Sequence, residues 1–129
     1  MKKKNIVKLP KNQPKIQGYA KGMTKLLEPF VYKVTSGKIY RIPKGFEFDG
    51  ASIPRMVQDI IGGAFLPQFL AAAAVHDYLY EKRIGSRKVA DKVLKEILIA
   101  NKVPKAKASV MYAAVRVGGW YYWRKCDER

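Results

Sequence analysis

Histidine, cysteine and acid are scarce in this sequence. Its 129 residues include one histidine, one cysteine and ten acidic residues against 26 lysines and arginines. With Cys126 alone, an intramolecular disulfide is excluded, and so is a zinc site built on several cysteines. The expectation is a free thiol near the C-terminus, which suits a reducing cytoplasm. With His76 alone, a metal centre that needs two or more histidines is disfavoured. No apolar run approaches the ~20 residues of a membrane-spanning helix. The segment FLAAAAV (69–75) is too short and mostly alanine. The opening MKKKNIVKLPKNQPK has no apolar stretch behind it, so no secretory signal is expected. Internal repeats and low-complexity tracts are absent too.

What is present is a foldable chain with a lopsided charge. Hydrophobic residues make up 48% of it, enough for one domain with one core. Residues 1–45 hold twelve basic residues against Glu28 alone, and 81–129 hold thirteen against five acids. The middle, 46–80, is acidic: Glu47, Asp49, Asp59 and Asp77 face only Arg55. A basic shell of this kind attracts nucleic acid, anionic lipid or an acidic protein surface. A plain solubility role is the alternative.

Local patterns predict the elements. Residues 1–17 read as a basic extended arm carrying Lys2, Lys3 and Lys4, and 18–129 as one globular domain. PFVYKVTSGKIYRIPKGFEF (29–48) alternates β-formers with turn residues, predicting an antiparallel sheet of two or three strands. Ser52 and Pro54 suggest a short helix carrying Met56, Val57, Ile60 and Ile61. Pro67 opens a helix running to about Arg83, and Ile84-Gly85 turns the chain. Ser86 caps a second helix with Val89, Val93, Leu94, Ile97 and Leu98 as its buried stripe. A third helix, from Pro104 to about Lys125, is expected to bury Val110, Ala113, Ala114 and Val117 and to bend at Gly118-Gly119. The expected class is α+β: a small antiparallel sheet beside about three main helices, two of them forming an antiparallel hairpin.

That hairpin concentrates the chemistry. Asp77 lies seven residues before Ile84 and Asp91 seven after it. Antiparallel packing therefore puts both carboxylates at similar heights, ~10 Å from the turn. His76 and Tyr80, four apart, share a helix face. His76, Asp77, Tyr80 and Asp91 are thus expected to meet between two helices. A carboxylate beside a histidine fixes its tautomer for general-base work, and a second one is free to hold a hard cation such as Ca²⁺. Asp49 in FDGAS is a further candidate ligand. The alternative is a set of satisfied polar residues at the mouth of a helix hairpin.

Two resemblances follow from these motifs. FDGASIPR (48–55), AVHDYLY (74–80), Ala90-Asp91 and MYAAVRVGG (111–119) resemble a family of small tailed-phage and prophage proteins carrying only an unknown-function label. That resemblance implies a phage or prophage origin, hence a place in the host cytoplasm or the virion, among other virion proteins. Locally, His-Asp-x-x-Tyr followed by Ala-Asp is similar to secreted and parvovirus-type phospholipases A2. The similarity implies His76 as general base, Asp91 and Tyr80 as its supports, and Asp77 as a Ca²⁺ ligand. The glycine-rich calcium loop of those enzymes has only Gly62-Gly63 as a counterpart, and their disulfides are lacking.

Trp120-Tyr121-Tyr122-Trp123, flanked by Arg116, Arg124 and Lys125, suggests an anionic-membrane or base-stacking patch through Trp120 and Trp123. The bland alternative sends two of the four rings to the core and lays the others over the sheet. Arg55 beside Asp49 reads as a substrate clamp or an internal ion pair. Ser52 lacks the G-x-S-x-G elbow of a nucleophile and reads as a cap. Three functional readings remain open: a metal-assisted lipid-ester hydrolase, a non-catalytic virion or assembly protein gripping nucleic acid or an acidic partner, and a host-directed binding factor.

Overall fold

The β-forming stretch builds two small antiparallel sheets. In a computed structural model, which describes residues 12–18, 23–49 and 67–127, strands β1 (Ile16–Gly18), β2 (Met23–Leu26) and β5 (Glu47–Asp49) form one sheet in the order β1-β2-β5. Strands β3 (Phe30–Lys33) and β4 (Ile39–Ile42) form a separate hairpin. The single sheet expected over 29–48 is therefore divided, and its last strand pairs with a segment that precedes it.

Alternation explains the registers. Phe30 is opposite Ile42 and Tyr32 opposite Tyr40, and Phe30, Tyr40 and Ile42 are buried while Val31 and Arg41 face out. In the larger sheet Thr24 is opposite Phe48, and Thr24, Leu26 and Phe48 are buried. Gly37 and Gly45 turn the chain with φ of 94° and 84°, the left-handed region that glycine enters without cost to a Cβ.

Helix α1 (Pro67–Glu81) begins at Pro67, whose missing N–H costs nothing in a first turn. Ala71, Ala72, Ala73, Ala74 and Val75 are all buried. Five consecutive positions go fully round a helix, so α1 is a central rod rather than an amphipathic one. It packs on β4 and β5 and on the other two helices, α2 (Arg87–Ala100) and α3 (Lys105–Asp127). Alanine's small volume lets these neighbours approach closely.

The hairpin turn closes as anticipated. Arg83 adopts φ 51°, and the Ile84 amide bonds the Leu79 carbonyl at 3.0 Å, ending α1 in a left-handed cap. The Ser86 hydroxyl accepts the Val89 amide at 3.2 Å and starts α2. Helix α2 buries Ala90, Asp91, Val93, Leu94, Ile97 and Leu98. Val89, expected inside, is exposed.

The third helix is rotated from its expected phase. Ala108, Met111 and Val115 are buried, whereas Val110, Ala113 and Val117 are exposed. The helix is also unbroken through Gly118-Gly119. Both faces are apolar, so hydropathy alone does not choose between them.

Within the stretch expected as an arm, residues 12–17 are described. Asn12 donates to the Val31 carbonyl at 3.0 Å, Gln13 donates to the Asn101 side chain at 2.6 Å, and Pro14 is buried. Lys2, Lys3 and Lys4 lie outside the described residues, as do the 50–66 segment with Ser52 and Arg55 and the short helix expected there. No helix among the described residues is long and apolar enough to cross a membrane.

Candidate functional site

The site is organised by one buried carboxylate. Asp91, in the second turn of α2, has no exposed surface. One oxygen, Oδ1, receives His76 Nε2 at 2.8 Å and the Tyr80 hydroxyl at 2.6 Å, both from α1. The other, Oδ2, receives Arg116 of α3 at 2.8 Å and Arg87 of its own helix at 3.4 Å. Arg87 reaches on to the carbonyls of Val115 and Arg116 at 3.0 and 3.1 Å. Three helices therefore converge on Asp91.

Burial pushes the Asp91 carboxyl upward. The hydrogen bonds from His76 and Tyr80, and the positive partners around it, outweigh that and hold it below its ordinary value. Burial, followed by the bond to Asp91, holds the Tyr80 phenol well above its usual range. Tyr80 is thus a fixed donor at neutral pH. An ionised carboxylate only accepts hydrogen bonds, so Nε2 of His76 carries the proton that lies between them. In the neutral ring Nδ1 then carries the lone pair, and no hydrogen bond occupies it among the described residues. The His76 side chain keeps 12% of its surface exposed.

His76, Tyr80 and Asp91 meet as the sequence suggests. Asp77 does not join them. Adjacent helical residues point ~100° apart, and Asp77 instead lines a cavity of about 680 Å³ with Phe46, Glu47, Phe48, Glu81 and Tyr122. Asp49, the last residue of β5, follows Phe48 in the chain and is not among the described residues of that lining. Among the described residues no three acidic, histidine or cysteine side chains converge as a metal centre requires.

The tetrad WYYW divides evenly. Tyr122 and Trp123 pack against the core, with Trp123 edge-on to Tyr80 at 5.1 Å and under the Arg83 guanidinium at 4.5 Å. Trp120 and Tyr121 face outward. Trp123 is therefore half-buried support for Tyr80.

Arg87 and Arg116 are the members of the cluster that sequence reasoning missed. Arg87 had a signal: it lies four residues before Asp91 on one helix, the spacing of an ion pair. Arg116 had none, because its contact depends on how α3 is rotated.

The chain belongs to the family described as a protein of unknown function, DUF1353, whose model matches residues 24–115. The match takes in all the site residues up to Val115 and stops one short of Arg116. Two curated proteins of Sinorhizobium fredii (strain NBRC 101917 / NGR234) are similar to it. Uncharacterized protein y4jT is 35% identical over 94 residues, covering 73% of this chain and 28% of the relative. Uncharacterized protein y4iH is 30% identical over 95 residues, covering 72% of this chain and 40% of the relative. The chain thus spans well under half the length of either. No solved structure matches it.

Proposed function

We propose that the domain is a small hydrolase in which His76 is the general base, with lipid esters as its substrate class. The observation that supports this is the 2.8 Å contact of His76 Nε2 with Asp91 Oδ1, which in a neutral ring makes Nε2 the donor and turns the lone pair of Nδ1 away from the carboxylate. A water at Nδ1 would lose its proton to His76 while attacking an ester carbonyl, and the proton would return to the leaving alkoxide. Asp91 orients the ring and faces the imidazolium that forms, and Tyr80 holds the same carboxylate oxygen, Oδ1. Arg87 and Arg116 share the charge of Asp91, so orientation is its main contribution. Ca²⁺ held by Asp77, with Asp49 beside the same cavity, belongs to this reading through the phospholipase resemblance. Asp77 lines that cavity, and the proton transfers of His76 do not require the ion. The resemblance to phage and prophage proteins supports a phage-type role, in the host cytoplasm or in the virion.

One observation favours a second reading, a non-catalytic assembly or host-directed protein. The groups around Asp91 tie α1, α2 and α3 together, which is what a purely architectural network does.

Fatty-acid release from phosphatidylglycerol vesicles, with calcium and with chelator, separates the two. Catalysis by His76 predicts a turnover that His76→Gln lowers by about 10²–10⁴-fold while the melting temperature moves little. Turnover that survives His76→Gln, or none from the wild type, rejects the hydrolase reading.

A further inference from the structure

Helix α3 has two apolar faces, and among the described residues one of them packs on the core while the other is exposed. At ~100° per residue, Ala108, Met111, Val115, Gly119 and Tyr122 lie on the inner side. Val110, Ala113, Val117, Trp120 and Tyr121 form a second stripe almost opposite. Val117 is 76% exposed, Tyr121 57% and Trp120 49%. This stripe runs for ~16 Å along the helix. Besides Arg116, which is paired with Asp91, the helix carries Lys105, Lys107, Arg124 and Lys125 against one acidic residue, Asp127 at its last position. Two of these reach the aromatic rings: Arg124 lies 5.7 Å from the Trp120 centroid and Lys125 5.0 Å from that of Tyr121.

The geometry points to an anionic lipid surface as the occupant of this face, with α3 lying in the plane of the headgroups. The chemistry selects it over the other occupants. A second copy would bring two faces edged by Lys107, Arg124 and Lys125 together in a chain of net charge +16. A nucleic acid would use flat rings as stacking platforms, but Trp120 and Tyr121 meet edge-on at 86°, and the aliphatic Val110 and Val117 offer bases nothing. Valines and aromatic rings below, with lysine and arginine at the rim, match the layered chemistry of an acyl boundary under anionic headgroups. The inference rests on the outer face of α3 and stands whether or not His76 is a base.

Co-sedimentation of the full chain with vesicles of ether-linked phosphatidylcholine, with and without ether-linked phosphatidylglycerol, tests it. Ether lipids cannot be hydrolysed at the ester position, so binding is read independently of catalysis. The expected result is partitioning at least about tenfold stronger on the anionic vesicles, weakened by salt. Val117→Asp and Trp120→Ser should each lower it by about fivefold or more. Val31→Asp, an exposed apolar position on the β3–β4 hairpin, should not. Circular dichroism confirms that each variant is folded, and Tyr121→Ser replaces any that is not. Equal binding to both vesicles, no binding, or binding unmoved by the stripe variants overturns the assignment. So does binding of single-stranded oligonucleotide that the same variants abolish in place of vesicle binding.

Discussion

The Tyr80 hydroxyl occupies the space that a Cβ at Gly119 would need. Helix α3 passes so close to the end of α1 that only glycine fits at the crossing. The same hydroxyl bonds Asp91 at 2.6 Å, so the position of α3 and the geometry of the polar cluster are set together.

Neighbouring glycines should therefore respond oppositely to alanine. Alanine is the better helix former by about 1 kcal/mol. At Gly118 nothing lies within 4 Å of the added methyl, and Gly118→Ala should stabilise the protein by up to that amount. At Gly119 the methyl meets the buried Tyr80, and overpacking should cost about 1–3 kcal/mol. Urea denaturation of the two variants beside the wild type reads the difference. Equal shifts would mean the helices do not cross so closely.

Asp91 should make stability depend on pH in the acid range. Its folded pKa lies below the ordinary 3.8, so between the two values the unfolded chain binds more protons. Its contribution is full above the unfolded value and is lost as pH falls through the folded one. Asp91→Asn leaves Arg116 and Arg87 facing a neutral group and should cost about 3 kcal/mol at pH 7. The wild-type and variant stabilities should converge in acid. Thermal melts from pH 7 to pH 2 decide this, and a constant gap across the range would refute it.

Tyr80 should remain a phenol at a pH where a free phenol ionises. Burial and the Asp91 carboxylate both raise its pKa. Subtracting the ultraviolet titration of Tyr80→Phe from that of the wild type should show no phenolate absorbance near pH 10. The substitution removes a hydrogen bond to a charged acceptor and should cost about 1.5–3 kcal/mol.

Calcium should be judged by ligand linkage. If Asp77 holds it, calcium at a hundredfold over its dissociation constant adds about 2.7 kcal/mol to stability. The rise in melting temperature should vanish in Asp77→Asn. An unchanged melting temperature in the wild type removes the ion from the proposal and leaves the role of His76 standing.

The elements that local chemistry controls were legible from the sequence. Pro67 begins α1, Ile84-Gly85 lies in the turn that reverses the chain, and Ser86 caps α2. Each depends on a few neighbouring residues, as does the four-residue spacing of His76 and Tyr80. With the turn placed, counting outward from it brought Asp91 level with the His76 face. Tertiary packing decided the rest. Asp77 faces the β5 cavity because successive helical residues diverge, and only the sheet's position shows what they meet. The phase of α3 was ambiguous because it carries apolar residues on both sides, and its packing against α1 chose Met111 and Val115 over Val110 and Val117. That choice delivered Arg116 to Asp91 across 25 residues and left Trp120 and Tyr121 facing outward. Local patterns record what a residue prefers within a turn or two, whereas the partner of a charge and the covered side of a two-faced helix exist only once distant elements meet.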